Sequence, residues 1–87
     1  MSRLEKVLLK ILTGQHDRNL DFDDLRGLLK RLNFKERIKG DHHIFTRENV
    51  DEIINIQPNG KLAKPYQVKQ VRNLIIRYKL GGIDGKI

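Results

Sequence analysis

The apolar residues of this 87-residue chain change period twice, and that change decides the fold class. Leu4, Val7, Leu8, Ile11 and Leu12 recur at the three- and four-residue spacing of one helical face. Leu9 lies off that face, and Gly14 ends the segment. Phe22, Leu25, Leu28, Leu29 and Leu32 repeat the helical pattern. From Phe34 to Gln57 the period becomes two, the mark of half-buried strands. Val68, Val71, Leu74, Ile75 and Tyr78 then restore the helical spacing. The predicted order is helix, helix, three antiparallel strands, helix: an α+β domain. A three-stranded meander is stable only with helices over one face, which leaves its other face open to solvent.

Local signals place the boundaries. Asp21 is a helix cap, Asp23 and Asp24 follow in the first turn, and Lys30 and Arg31 occupy the last, all with the sign the helix dipole favours. Asn33 suits a left-handed stop. In the first strand Phe34 and Ile38 share one face, while Lys35, Arg37 and Lys39 share the other. Gly40-Asp41 makes a two-residue hairpin turn, His42–Arg47 the returning strand, and Glu48-Asn49 a second turn. Val50–Gln57 is a third strand ending at Pro58, with Ile54 and Ile56 inward and Ile53, Asn55 and Gln57 outward. Asn59-Gly60-Lys61 reads as a loop, and Pro65 opens the last helix. Lys69, Arg72 and Arg77 are expected on that helix's outer side, and Gly81-Gly82 is expected to stop it.

Composition narrows the chemistry. There is no cysteine, so disulfides, thiolate zinc sites and a catalytic thiol are excluded, and the fold must rest on packing alone. No apolar run approaches the roughly 18 residues of a membrane span. The opening Met-Ser-Arg-Leu-Glu-Lys has no secretory pattern, so a cytoplasmic location is expected. Lys and Arg number 18 against 11 Asp and Glu, a net charge of +7. Such a balance favours a polyanion or an acidic protein as partner. Residues 61–79 hold Lys61, Lys64, Lys69, Arg72, Arg77 and Lys79 with no acid among them, so the excess is concentrated rather than spread.

Strand alternation sorts the two adjacent histidines. If Phe45 points at the helices, His43 does too, and His42 joins Ile44 and Thr46 on the open face. Lys35, Arg37 and Lys39 share that face, and with the backbone N–H groups near Gly40 they can hold phosphate oxygens. Imidazole, as a side-chain class, titrates near neutral pH, so His42 can take or give a proton in RNA cleavage, where a 2′-hydroxyl serves as internal nucleophile without metal. The plainer alternative is a solvated histidine in a basic hairpin. His43 is expected to be packed and hydrogen-bonded, His16 solvated, and no metal site is expected, because neighbouring strand residues point to opposite faces. The basic terminal helix has two readings, a solvated face or a contact surface.

The stretch Asp24–Leu80 resembles the HicA toxins of type II toxin–antitoxin systems. The resemblance is carried by "DLRGLLKRLNFKERIKG", the "GDHHIF" turn and strand, "IINIQPNG", and "LAKPYQVKQVRNLI". It implies a double-stranded-RNA-binding-domain-like α-β-β-β-α fold with helices on one face of the sheet. It also implies a metal-independent endoribonuclease (mRNA interferase) acting on single-stranded mRNA without a cofactor. The family's catalytic histidine, the first after the turn, falls on His42. Lys35, Arg37, Lys39, Gly40, Lys61 and Lys64 are the expected RNA contacts. Asp41 departs from the serine common at that position and puts a negative charge beside the phosphate site. The implied partner is a HicB antitoxin, met by the basic surfaces and in particular Lys69, Arg72 and Arg77, with DNA touched only through the complex. Residues 1–20 then form an added helix and connector, either flank packing or a docking helix; residues 21–80 form the HicA-like domain and 81–87 a flexible tail. The alternative function is a non-catalytic RNA-binding module of the same fold.

Overall fold

A computed structural model of the chain describes residues 2–80; the expected stop at Gly81-Gly82 and the tail beyond it lie outside the described residues. Helix α1 spans Arg3–Thr13 and α2 spans Phe22–Arg31. At α1, the Glu5 N–H donates to Ser2 Oγ (3.2 Å) and the Ser2 N–H to Glu5 Oε1 (3.3 Å), a reciprocal cap. The Asp24 N–H donates to Asp21 Oδ1 at 3.0 Å, as the sequence predicts for α2. Strands β1 (Lys35–Lys39), β2 (His42–Arg47) and β3 (Val50–Ile56) form an antiparallel sheet in the order β1-β2-β3. Pro65 starts α3, Pro65–Tyr78. The expected helix-sheet-helix order and the additional N-terminal helix are both present.

The register fixes the two faces. Lys39 pairs with His42, Arg37 with Ile44 and Lys35 with Thr46, whereas Ile38 pairs with His43 and Glu36 with Phe45. The Gly40 turn makes this possible with a φ of 61°, a backbone region costly for other residues. Phe45, Ile54 and Ile56 are fully buried from the sheet side, and they join one core with residues of all three helices. Helix α1 is part of it: Ile11 has no exposed surface.

Three features differ from the sequence reading. The expected loop at Asn59-Gly60-Lys61 is a small hairpin, β4 (Pro58–Asn59) and β5 (Leu62–Ala63). Gly60, at φ 62°, allows a two-residue turn, and the hairpin is held by N–H donation from Phe22 to the Lys61 carbonyl and from Ala63 to the Leu20 carbonyl, both 2.8 Å. Ile38, grouped with Phe34 by alternation, is 56% exposed because it lies on the edge strand one pair from the turn. Helix α3 stops at Lys79, whose left-handed φ of 54° ends it ahead of the glycines.

Glu36 is the polar counterpart of this core. Its side chain is 5% exposed and faces the helices from β1. Arg26 of α2 grips it with two donors, Nε at 2.7 Å and Nη2 at 3.0 Å, while Lys30 Nζ lies at 3.2 Å and His43 Nδ1 at 2.7 Å. These partners, Arg26 foremost, hold the Glu36 carboxyl down at about 2 against burial that acts the other way. His43 packs its ring edge-on to Phe22, centroids 5.1 Å apart. It is packed and hydrogen-bonded, as expected.

Arg72 corrects an expectation. It does not stand on the outer side of α3: its side chain is 17% exposed, and Nη1 donates to both Asp17 oxygens (2.9 and 3.1 Å) and to the Ile11 carbonyl (3.2 Å). It thereby satisfies a terminal carbonyl of α1 and ties α1 to α3. Gly14 sits against this guanidinium; a Cβ there would lie 3.3 Å from Nη1, and its φ is 72°. Among the described residues the buried side-chain polar atoms all have partners, Gln67 of α3 included, whose Oε1 accepts from the Lys64 N–H.

Two predictions follow from these ties. Because the folded Glu36 carboxyl sits near 2 against an ordinary 4.5, its stabilisation is complete above about pH 4.5 and is lost as the pH falls toward 2. Glu36→Gln should cost about 3 kcal/mol at pH 7 and flatten the acid limb between those values, as read by urea unfolding across pH. Arg72→Ala should cost about 2 kcal/mol and accelerate amide exchange selectively in Arg3–Thr13, the segment it tethers.

Candidate functional site

Alternation along β1 and β2 builds the open face. Lys35, Arg37 and Lys39 are exposed there, and His42, Ile44 and Thr46 stand beside them across the β1–β2 ladder. From β3, Asn55 pairs with Ile44, and Ile53 is 60% exposed. The sequence reading of this face is reproduced residue by residue.

His42 is not simply solvated. Its Nδ1 lies 3.1 Å from Asn55 Oδ1. An amide oxygen can only accept, so the tautomer that makes this contact is the one with its hydrogen on Nδ1, and in that tautomer Nε2 carries the lone pair. That nitrogen is 3.9 Å from Asp41 Oδ1, and the other oxygen of Asp41 accepts from Gln57 Nε2 at 3.0 Å. The His42 side chain remains 47% exposed. The result is an oriented imidazole with one ring nitrogen committed and the other presented at the surface. Asp41 is drawn toward Gln57, which fixes the carboxylate of the departing turn residue.

The electrostatics of the two faces are unlike. On the helix side, Arg3 pairs with Asp24, Arg26 and Lys30 with Glu36, Arg72 with Asp17, and Arg77 with Glu52. On the open face, Lys35, Arg37 and Lys39 have no acidic partner among the described residues. Unpaired cations around an oriented imidazole suit a ligand bearing several phosphates, held by charge and worked on by proton transfer.

The other expected contacts do not gather here. Lys61 lies in the β4–β5 turn, on the rim of a separate cleft of about 430 Å³ shared with Asp21, Phe22, Arg26 and His43. Lys64 is the residue preceding α3 and is half-buried. On α3, Lys69 is exposed, Arg72 is spent on Asp17, and Arg77 reaches back to Glu52 at 3.2 Å with its guanidinium 5.6 Å over the Tyr78 ring. The basic run 61–79 is thus partly neutralised by acids distant in sequence. Asn55 and Gln57 are the neighbours of His42 that the sequence reading placed outward without giving them a role; their outward parity on the third strand was the available signal. Among the described residues no three His, Cys, Asp or Glu side chains come together as a metal site would need. Nor is any described helix long and apolar enough to cross a membrane.

Comparison with known proteins gives one match. No curated protein and no solved structure matches the chain. The family model described as the HicA toxin of bacterial toxin–antitoxin systems matches residues 22–78, from the first residue of α2 to the last of α3. With well over half of the chain inside that match, and with the sheet and flanking helices in the expected order, the chain belongs to the HicA toxin family.

Proposed function

We propose that the chain cleaves single-stranded mRNA without a metal ion, using His42 as its proton-transfer group, and that a cognate HicB antitoxin silences it by covering the same face. Toxins of this family act in toxin–antitoxin systems and pair with HicB antitoxins, and the family is known as mRNA interferases. The observation that carries the reading for this chain is the His42–Asn55 contact beside three unpaired cations.

The chemistry follows from that arrangement. Lys35, Arg37 and Lys39 hold the strand by its phosphates and offset the charge that grows on the reacting one. His42 Nε2 accepts the proton of a ribose 2′-hydroxyl as its oxygen attacks the adjacent phosphorus. The bond to the 5′-oxygen breaks, and that oxygen takes a proton from solvent or from the imidazolium. The products are a 2′,3′-cyclic phosphate and a 5′-hydroxyl end. A DNA strand has no 2′-hydroxyl and cannot be cut in this way; contact with operator DNA is assigned to the antitoxin complex.

Purified protein should cut a long RNA in EDTA, and His42→Ala should lower that rate by about 10²–10⁴. Equal cutting by His42→Ala would refute the mechanism, while salt-sensitive binding by the parent without scission would favour a non-catalytic RNA-binding module. Asn55→Ala should reduce kcat by about tenfold with RNA affinity retained, since it removes the group that orients the ring rather than one that holds phosphate.

A further inference from the structure

At the end of the sheet remote from the Gly40 turn lies a second feature, a cleft of about 550 Å³ lined by Asn33, Lys35, Thr46, Arg47, Glu48 and Asn49. It is built where two turns meet. Asn33 leads from α2 into β1 and Asn49 from β2 into β3, and both have a left-handed φ of 71°. Strict alternation would send Arg47 to the helix side with His43 and Phe45. The β2–β3 register shifts between Phe45 and Arg47, an irregularity of the kind that re-aims a side chain, and Arg47 lines this cleft with Lys35 and Thr46 of the open face.

The lining selects an anion. Lys35 and Arg47 have no acidic partner among the described residues, and Thr46, Asn33 and Asn49 add neutral hydrogen-bond donors. Glu48 is the sole acid of the lining and is exposed. The planar fork of an arginine suits a phosphate, which it can hold through two N–H groups. The Lys35–Thr46 pair stands four residues along each strand from the Lys39–His42 pair, about 14 Å at the rise of a β-strand.

We propose that this cleft is a phosphate subsite for the same RNA strand, holding a backbone phosphate about two nucleotides from the one at His42. The inference rests on the RNA reading of the open face and adds to it a second anchor, with Arg47 as the residue that makes it. The substrate is then a strand of at least several nucleotides threaded along β1 and β2, not an isolated phosphodiester.

The test uses the full chain and two uncleavable 2′-fluoro RNA probes, a decamer and a dinucleotide that carries a single phosphate. Arg47→Ala should weaken decamer binding about fivefold and reduce the slope of log K against log salt by about 0.7, leaving dinucleotide binding unchanged. Glu48→Gln should tighten decamer binding, a gain that misfolding does not produce. An unchanged decamer slope in Arg47→Ala, or an equal loss on both probes, would overturn the subsite. Should neither probe bind the parent, the subsite falls together with the RNA reading. If the decamer binds as predicted but the parent leaves RNA intact in EDTA, only the cleavage reading fails.

Discussion

The charge cluster at Glu36 ties α2 to the sheet and sorts charge between the sheet's two faces. A carboxylate on the inward face of β1 would be costly alone. Here it is met by Arg26, Lys30 and His43, so one buried group joins α2 to two strands. The same alternation that turns Glu36 inward turns Lys35, Arg37 and Lys39 outward. Had Glu36 faced solvent, it would stand within that basic row and reduce its attraction for a polyanion. Stability and surface charge therefore share one cause: a five-residue strand that sorts opposite charges to opposite faces.

Where the sequence was legible, local rules governed the outcome. The cap at Asp21, the start of α3 at Pro65, the glycine turn before His42, and the placement of Ile54 and Ile56 all follow from neighbours within a few residues. Those same rules brought His42 to the row of cations. What they could not supply were partners distant along the chain. Arg72 looked like an outer-face cation because Asp17, which holds it, lies 55 residues earlier; Arg77 looked free because Glu52 lies 25 residues earlier. The β4–β5 hairpin was hidden for a related reason, since it is secured by backbone bonds to Leu20 and Phe22, not by any pattern of its own.

Within the site, the same limit separates His42 from Asn55. The histidine is marked by its turn; the asparagine is an ordinary strand residue until the β2–β3 register brings it to the imidazole. Its oxygen faces Nδ1 at 3.1 Å, which leaves Nε2 as the nitrogen for the proposed proton transfer. Asp41 in the turn is engaged by Gln57 and so belongs to the same polar group rather than standing as a loose charge. The N-terminal helix, outside the family match, completes the core through Val7, Leu8 and Ile11 and is anchored by Arg72. It packs against α2 and α3.

Under the proposed mechanism an oriented imidazole, without metal, directs a 2′-hydroxyl at its neighbouring phosphate. The most direct measurement is the chemistry of the new ends after cleavage in EDTA, read by mass spectrometry. This mechanism leaves a 2′,3′-cyclic phosphate or its hydrolysed monophosphate on one fragment and a 5′-hydroxyl on the other. It further predicts that a single 2′-deoxy sugar at the cut site blocks scission there. Fragments ending in a 3′-hydroxyl and a 5′-phosphate would contradict it, because they require water, not the ribose, as nucleophile.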